Sequence, residues 1–210
     1  MTENTLKTGT TTVALHCKDC VVMAADMRAT AGYLIANKNI EKVFALTDNI
    51  VITIAGSVSA IQIITKYMRS EIKLRMLRSG RDFLVKEVAS LLRNWVYSMI
   101  RHSGGMDVSH FLIGGRDRDG IWLYDLFPDG SLTMVDDYAT SGSGSSFVYG
   151  VLESNYKADL TEQAGIDLAI KSVDTAMQRD IASGNGLNVY VVDKNGARKV
   201  ATKRVNTHVQ

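Results

Sequence analysis

Three residues stand where their chemistry is awkward for a fold and useful for a reaction. Lys42 lies in the stretch Ile40–Leu46, where alternation puts Ile40, Lys42, Phe44 and Leu46 on one face. A lysine on an apolar face either snorkels to solvent or takes an acidic partner. Asp26, at the end of the apolar run from Val21, is an available partner. Asp180 falls in the last turn of a long helical pattern, where a carboxylate opposes the helix dipole. Something nearby compensates it, or the residue has a task. Thr10 follows a polar nine-residue leader that ends in Gly9, and it opens a threonine-rich strand. A frayed terminus is the ordinary explanation. A hydroxyl nucleophile is the chemical one.

Other candidates have simpler explanations. Cys17-Lys18-Asp19-Cys20 is a CxxC beside His16, but it straddles a predicted hairpin turn. A redox CxxC opens a helix, whose dipole lowers the thiol pKa. A structural zinc site needs four ligands, and no second Cys/His pair exists. No metal site and no cofactor is expected. His102, His110 and His208 have no partner acid at a useful spacing. Ser141-Gly142-Ser143-Gly144-Ser145 lacks both the lysine of a phosphate loop and the spacing of a nucleophile elbow. By pattern alone it is a tight turn.

The elements that must position these residues alternate between two periods. Thr11–Cys17 and Val21–Asp26 read as strands around a turn at Lys18-Asp19. Tyr33–Ala36, Ile40–Leu46 and Ile50–Gly56 follow, the last two joined at Asp48-Asn49. Ser59 and Gln62 have capping-box spacing. Beyond them Ala60, Ile61, Ile64, Tyr67, Met68, Ile72 and Met76 recur at helical intervals. Ser79-Gly80 stops that helix, and Asp82 can cap a second one along Leu84, Val88, Leu91, Leu92, Trp95 and Met99. Strands return at Val108–Gly114, Ile121–Leu126 and Leu132–Asp136, separated by Arg118-Asp119-Gly120 and Pro128-Asp129-Gly130. A short helix spans Phe147–Asn155 and a long one runs from Thr161 to Ala182. Gly184 and Gly186 end it. Leu187–Val192 and Lys199–Thr202 close a hairpin around Lys194-Asn195-Gly196. Segregated runs of strands and helices argue α+β, with two covered sheets face to face and helices outside.

Composition narrows the function classes. With 210 residues the chain buries roughly 70% of its unfolded surface and needs no staples. Hydrophobic residues make 46% and charged residues 22% of it, which argues against a disordered chain. A net charge of +2 gives no drive towards nucleic acid or anionic membrane. No apolar run approaches the roughly 18 residues of a transmembrane helix. Two cysteines are too few for a disulfide framework. The polar start has no apolar h-region, so a cytoplasmic location is expected.

Five segments, in order, resemble the β subunits of the proteasome, most closely the archaeal type, over essentially residues 10–205. They are Gly9-Thr10-Thr11-Thr12-Val13, Glu41-Lys42-Val43-Phe44 and Ile52-Thr53-Ile54-Ala55-Gly56-Ser57. The fourth is Thr140-Ser141-Gly142-Ser143-Gly144-Ser145, running on to Tyr149-Gly150-Val151-Leu152-Glu153-Ser154. The fifth is Arg179-Asp180-Ile181-Ala182-Ser183-Gly184. Departures are mild. Asp26 stands where some relatives carry Glu, Ser146 stands where proline is common, and Asn94–Asp107 is idiosyncratic.

The resemblance implies an N-terminal-nucleophile hydrolase with a four-layer αββα sandwich. Residues 1–9 would be a propeptide, and 10–210 a single catalytic domain. It implies autocatalytic cleavage at Gly9-Thr10 and a threonine-type endopeptidase. Thr10 would supply both the nucleophilic hydroxyl and, through its freed α-amine, the general base. Lys42 and Asp26 would tune that pair. The backbone N–H of Gly56 would stabilise the oxyanion, and Ser143, Asp180 and Ser183 would orient the amine. Substrate-pocket positions fall on Ala29, Ile40, Ile54 and Val58, none charged, which favours cleavage after hydrophobic residues. The implied partners are other β subunits in a heptameric ring, flanking α subunits, unfolded polypeptide and, indirectly, an ATP-dependent unfoldase. A noncatalytic structural ring subunit is the alternative.

Overall fold

A computed structural model describes residues 9–56, 58–103 and 109–205, with all their side chains except those of residues 58–61 and 103. The chain starts with an antiparallel hairpin, β1 (Thr12–His16) and β2 (Val21–Asp26). A small ribbon follows, β3 (Ala29–Ala31) and β4 (Leu34–Asn37). Next come β5 (Val43–Thr47), β6 (Ile50–Gly56) and two helices, α1 (Val58–Ser79) and α2 (Val85–Ser103). Strands β7 (Ser109–Asp117), β8 (Gly120–Leu126), β9 (Leu132–Met134) and β10 (Tyr138–Ser141) precede helices α3 (Ser145–Asn155) and α4 (Glu162–Met177). A hairpin of β11 (Gly186–Asp193) and β12 (Gly196–Arg204) closes the chain.

Pairing builds two five-stranded antiparallel sheets, ordered β10-β1-β2-β11-β12 and β5-β6-β7-β8-β9. Three apolar clusters define four layers. Ile64, Met68 and Ile72 of α1 and Val88 and Leu92 of α2 pack on Ile52, Ile54 and Phe111 of the second sheet. Val148, Leu152, Ala169 and Val173 from α3 and α4 pack on Val13, Val22 and Val189 of the first. Between the sheets lie Ala14, Met23, Val51 and Leu112. Within β2, Val22 and Ala24 face the helices while Val21, Met23 and Ala25 face the other sheet. A strand buried on both sides has no polar face, which explains its uninterrupted apolar run. The αββα sandwich is therefore the observed architecture.

Several local expectations are corrected. Strand β10 carries no strong strand pattern, yet it pairs with β1 from Thr12↔Ser141 to Leu15↔Tyr138. Ser59 lies inside α1 and does not cap it, because that helix starts at Val58. Helix α4 ends at Met177, so Asp180 sits in the turn beyond it. The Asp180 backbone N–H still donates to the Ala176 carbonyl at 2.7 Å, so the carboxylate stays beside the C-terminal end of α4. Lys42 precedes β5, so strand alternation does not govern it. Phe44 and Leu46 join the helix-side core, whereas Lys42 reaches the other sheet.

Asp82 does not cap α2 either. The Glu87 carboxylate accepts the Leu84 N–H at 2.9 Å, and Asp117, from β7, accepts the Val85 N–H at 2.8 Å. Arg81 grips Glu87 through both carboxylate oxygens, at 2.6 and 2.8 Å. The Arg81 hydrogen bonds, then the Leu84 N–H, hold the Glu87 carboxyl down at about 2. Glu87→Ala is expected to cost about 1 kcal/mol, as losing a cap does. A depressed carboxyl contributes above its unfolded pKa and loses that contribution as pH falls through the folded one. The difference between wild type and variant in urea titrations should be full above pH 4.5 and vanish near pH 2.

Candidate active site

Asp26 ends β2 with its side chain fully buried. One carboxylate oxygen accepts Lys42 Nζ at 2.8 Å and the Thr11 N–H at 2.9 Å. The other accepts the backbone N–H groups of Arg28 at 3.0 Å and Gly184 at 2.9 Å. Four donors satisfy the buried anion, and one of them is a cation. Lys42 is itself 2% exposed. Its ammonium also donates to the Gly9 carbonyl at 3.2 Å. Burial pulls the Lys42 pKa down, and the Asp26 charge opposes that shift. The snorkelling alternative is excluded by this burial.

Thr10 lies at the same place. Its hydroxyl donates to the Gly9 carbonyl at 2.6 Å, the oxygen that Lys42 also touches. Its backbone N–H donates to Ser143 Oγ at 3.2 Å. Ser143 in turn donates to Asp180 Oδ2 at 2.6 Å. A parallel relay runs beside it, in which Ser183 Oγ lies 2.7 Å from Thr11 Oγ1 and donates to Asp180 Oδ2 at 2.6 Å. Each serine has one hydrogen, already directed to the carboxylate, so each accepts from the threonine side. The other Asp180 oxygen accepts the Ala182 N–H at 3.1 Å, which pins the turn.

Close backbone approach shapes the surroundings. Gly142 has φ +92°, and a Cβ there would stand 2.1 Å from the Thr10 carbonyl oxygen. A Cβ on Gly9 would stand 1.7 Å from the Ala182 Cβ. The glycines of the Gly/Ser stretch are therefore required by the approach of residues 10 and 11, which a turn pattern does not reveal. Gly56 ends β6 opposite Ser109, with φ +144°.

The structure brings Thr10, Asp26, Lys42, Ser143, Asp180 and Ser183 into one hydrogen-bonded network, through Gly9 and Thr11. Of the pocket positions, Ala29 is nearly buried in β3 and Ile40 is half-buried. Ile40 donates its N–H to Met27 O, and Ile54 donates its N–H to Lys42 O, each at 2.9 Å. The Ile54 side chain is fully buried in the helix-side core. The Val58 side chain lies outside the described residues, as does His208.

Sequence reasoning missed Thr11, Thr30 and Arg28. Thr30 Oγ1 accepts the Gly9 N–H at 3.2 Å. Arg28 clamps the turn after α4, donating to Asn185 Oδ1 and Ile181 O at 2.8 Å each. Only the run of threonines hinted at the first; nothing in the pattern marks Arg28. The cysteines are free and buried. The hydrogen bond they share, then burial, pushes the Cys17 thiol up, and the same hydrogen bond pulls the Cys20 thiol down. His110 does have an acid, Asp125, which pattern spacing concealed because the contact crosses from β7 to β8. Among the described residues no cluster of three or more His, Cys, Asp or Glu could hold a metal. Among them too, no helix is long and apolar enough to cross a membrane.

The chain is similar to known proteins over most of its length. The proteasome subunit family model matches residues 6–192. A proteasome subunit beta of Methanobrevibacter smithii is 41% identical over 198 residues, covering 94% of each chain. One from Methanothermobacter thermautotrophicus is 37% identical over 209 residues, covering 99% of this chain and 97% of the relative. One from Haloquadratum walsbyi is 40% identical over 190 residues, covering 90% of this chain and 76% of the relative. A match across nearly the whole sandwich, at this identity, places the chain in the proteasome family, among its β-type subunits.

Proposed function

We propose that this subunit is a threonine endopeptidase made as a precursor and activated by its own cleavage at Gly9-Thr10. The observation that carries the proposal is the meeting of the Thr10 hydroxyl and the Lys42 ammonium at the Gly9 carbonyl oxygen. Attack by Thr10 Oγ on that carbonyl carbon forms a C–O bond, the Gly9–Thr10 C–N bond breaks, and the hydroxyl proton passes to the departing Thr10 nitrogen, leaving the leader on Oγ as an ester. Lys42 stabilises the charge that develops on the oxygen. Water then hydrolyses the ester and releases residues 1–9.

The freed nitrogen becomes the base for peptide hydrolysis. An α-amine has a pKa of roughly 8, close enough to neutrality to take the proton from the Thr10 hydroxyl. The Ser143–Asp180 relay holds that nitrogen in place. The buried Lys42 charge favours the neutral amine and the ionised hydroxyl. The Gly56 N–H donates to the oxyanion, a contribution of about 3 kcal/mol for such donors. The acyl-enzyme ester is then hydrolysed by water. The pocket positions Ala29, Ile40 and Val58 are uncharged and suit hydrophobic residues before the scissile bond, whereas Ile54 is buried in the helix-side core and offers no surface to a substrate. Unfolded polypeptide reaches the site inside paired heptameric β rings flanked by α rings, supplied by an ATP-dependent unfoldase.

The deciding measurement is the intact mass of the chain in particles assembled with the α subunit. Loss of residues 1–9 is expected. Retention of the full chain in complete particles would leave a structural ring subunit. Gly9→Ala sharpens the test. The added methyl clashes with Ala182 and displaces the carbonyl from the hydroxyl, and a misplacement of about 1 Å costs roughly 100-fold. Leader removal, followed by mass spectrometry over time, should slow by at least about that factor.

A further inference from the structure

The β1–β2 turn holds both cysteines of the chain, at the end of β1 opposite Thr10. Cys17 and Cys20 face each other across it, one step beyond the pair His16↔Val21. The Cys17 N–H donates to the Cys20 carbonyl at 2.8 Å, which closes the turn around Lys18 and Asp19. Facing residues lie on one side of the sheet with Cα atoms about 4.5–5.5 Å apart, within the roughly 4.4–6.8 Å that a disulfide spans. Both thiols are free and buried, on the side covered by α4. They share a hydrogen bond in which Cys17 donates and Cys20 accepts. A Cβ on Gly165 of α4 would stand 2.5 Å from Cys17 Sγ, so the helix seals that sulfur. Cys20 instead forms part of the wall of a cleft of about 630 Å³, beside exposed Lys18, Asp19 and Lys194.

Two thiols so placed differ in chemistry. The shared hydrogen bond pulls the Cys20 thiol down, against burial and the charges of Glu162 and Asp193, while it pushes Cys17 up. The thiolate is the form that reacts. Glu162 and Asp193 are both engaged by Arg198, at 2.6 and 2.8 Å. With those carboxylates engaged, Lys18, Arg116 and Lys194 outweigh Asp19 in the cleft wall. Cys20 is 2% exposed, so only a small oxidant reaches it. We propose that Cys17 and Cys20 form an oxidation site, at which hydrogen peroxide entering by this cleft oxidises Cys20 and Cys17 then closes a reversible disulfide. The Cys20 thiolate attacks a peroxide oxygen. An S–O bond forms, the O–O bond breaks, and the departing hydroxide takes up the proton that Cys20 released, giving water. The Cys17 sulfur then attacks the sulfenic sulfur of Cys20. The S–S bond forms, the S–O bond breaks, and the hydroxyl leaves as water with the Cys17 proton. The two sulfurs give up two electrons and the peroxide takes both. A small dithiol reverses the step by thiol–disulfide exchange.

This inference stands apart from the peptidase reading, and its readout is mass. The full chain is treated with hydrogen peroxide, quenched, unfolded and alkylated with N-ethylmaleimide. Untreated chain should take up two maleimides, one for each cysteine. Oxidised chain should take up none, weigh two hydrogens less and recover both thiols after dithiothreitol. A chain that keeps both thiols, gains oxygen in place of a disulfide, or links to a second chain would overturn the proposal. Folded chain should lose its thiols at least about tenfold faster than chain unfolded in urea, where neither thiol is activated. A slower reaction in the folded chain would mean that burial only protects the pair, and the proposal would fail. Cys17→Ala should leave Cys20 as a sulfenic acid that dimedone captures, whereas Cys20→Ala should react at least about tenfold more slowly. Equal rates in the two variants would remove Cys20 as the thiol that reacts first. The measurements on the unaltered chain hold whether or not either variant folds.

Discussion

Thr10→Ala is expected to abolish peptide hydrolysis and to leave the leader attached, with the fold intact. The Thr10 hydroxyl donates only to the Gly9 carbonyl, so its loss strands no buried partner. The Thr10 N–H still reaches Ser143, and the Ser143–Asp180 relay does not involve the lost oxygen. Stability should therefore change by less than about 1 kcal/mol. Removing a nucleophile typically costs about 10⁴-fold or more in turnover. Hydrolysis of a fluorogenic peptide with a hydrophobic residue before the cleaved bond reads the first effect, and intact mass reads the second. Thr10→Ser keeps the hydroxyl and should retain measurable activity and processing. A mature mass from Thr10→Ala would show that another group cuts the leader, and the mechanism proposed here would fail.

Lys42→Met should damage both stability and chemistry. The substitution keeps the length of the stem but removes the only cation that, among the described residues, pairs with the buried Asp26 carboxylate. Three backbone N–H groups remain, from Thr11, Arg28 and Gly184. Breaking one side of a buried ion pair costs about 3–5 kcal/mol. Turnover should fall by about 10²–10⁴-fold, the range of a lost proton-transfer or charge-stabilising group. The two losses can be separated. Asp26→Asn/Lys42→Met removes both charges and should recover part of the stability, because an uncharged pair has no unpaired ion to bury. Activity should not return, since the charge beside the Thr10 hydroxyl is still absent. Urea titration and peptide turnover on the single and double variants decide this. Restored turnover in the double variant would show that Lys42 acts through folding alone.

The legibility of this protein followed the range of the physics. Strand β2 is legible with its exact ends because a doubly buried strand is a continuous apolar run, here closed by the carboxylate of Asp26. The turns at Asp48-Asn49, Arg118-Asp119-Gly120 and Lys194-Asn195-Gly196 depend on local backbone preference, and all join neighbouring antiparallel strands. Helix ends were read less well. Helix α2 is capped by Glu87 and by Asp117, thirty-two residues away, and no local pattern contains the second.

The catalytic candidates divide the same way. Sequence by itself determined that Thr10, Lys42 and Asp180 needed an explanation, because each residue type was at odds with its local pattern. The family's motifs then assigned them roles. Only the tertiary structure decided how they meet. Lys42 leaves the alternation of its strand and crosses to Asp26. Strand β10, invisible in the pattern, pairs with β1 and delivers Ser143 to the Thr10 nitrogen, 133 residues away in sequence. The turn after α4 brings Asp180 to both serines. Local patterns record which residues are buried and where the chain reverses. Strand order, which sets the neighbours of a buried polar group, arises from the packing of whole layers and leaves no short-range signature.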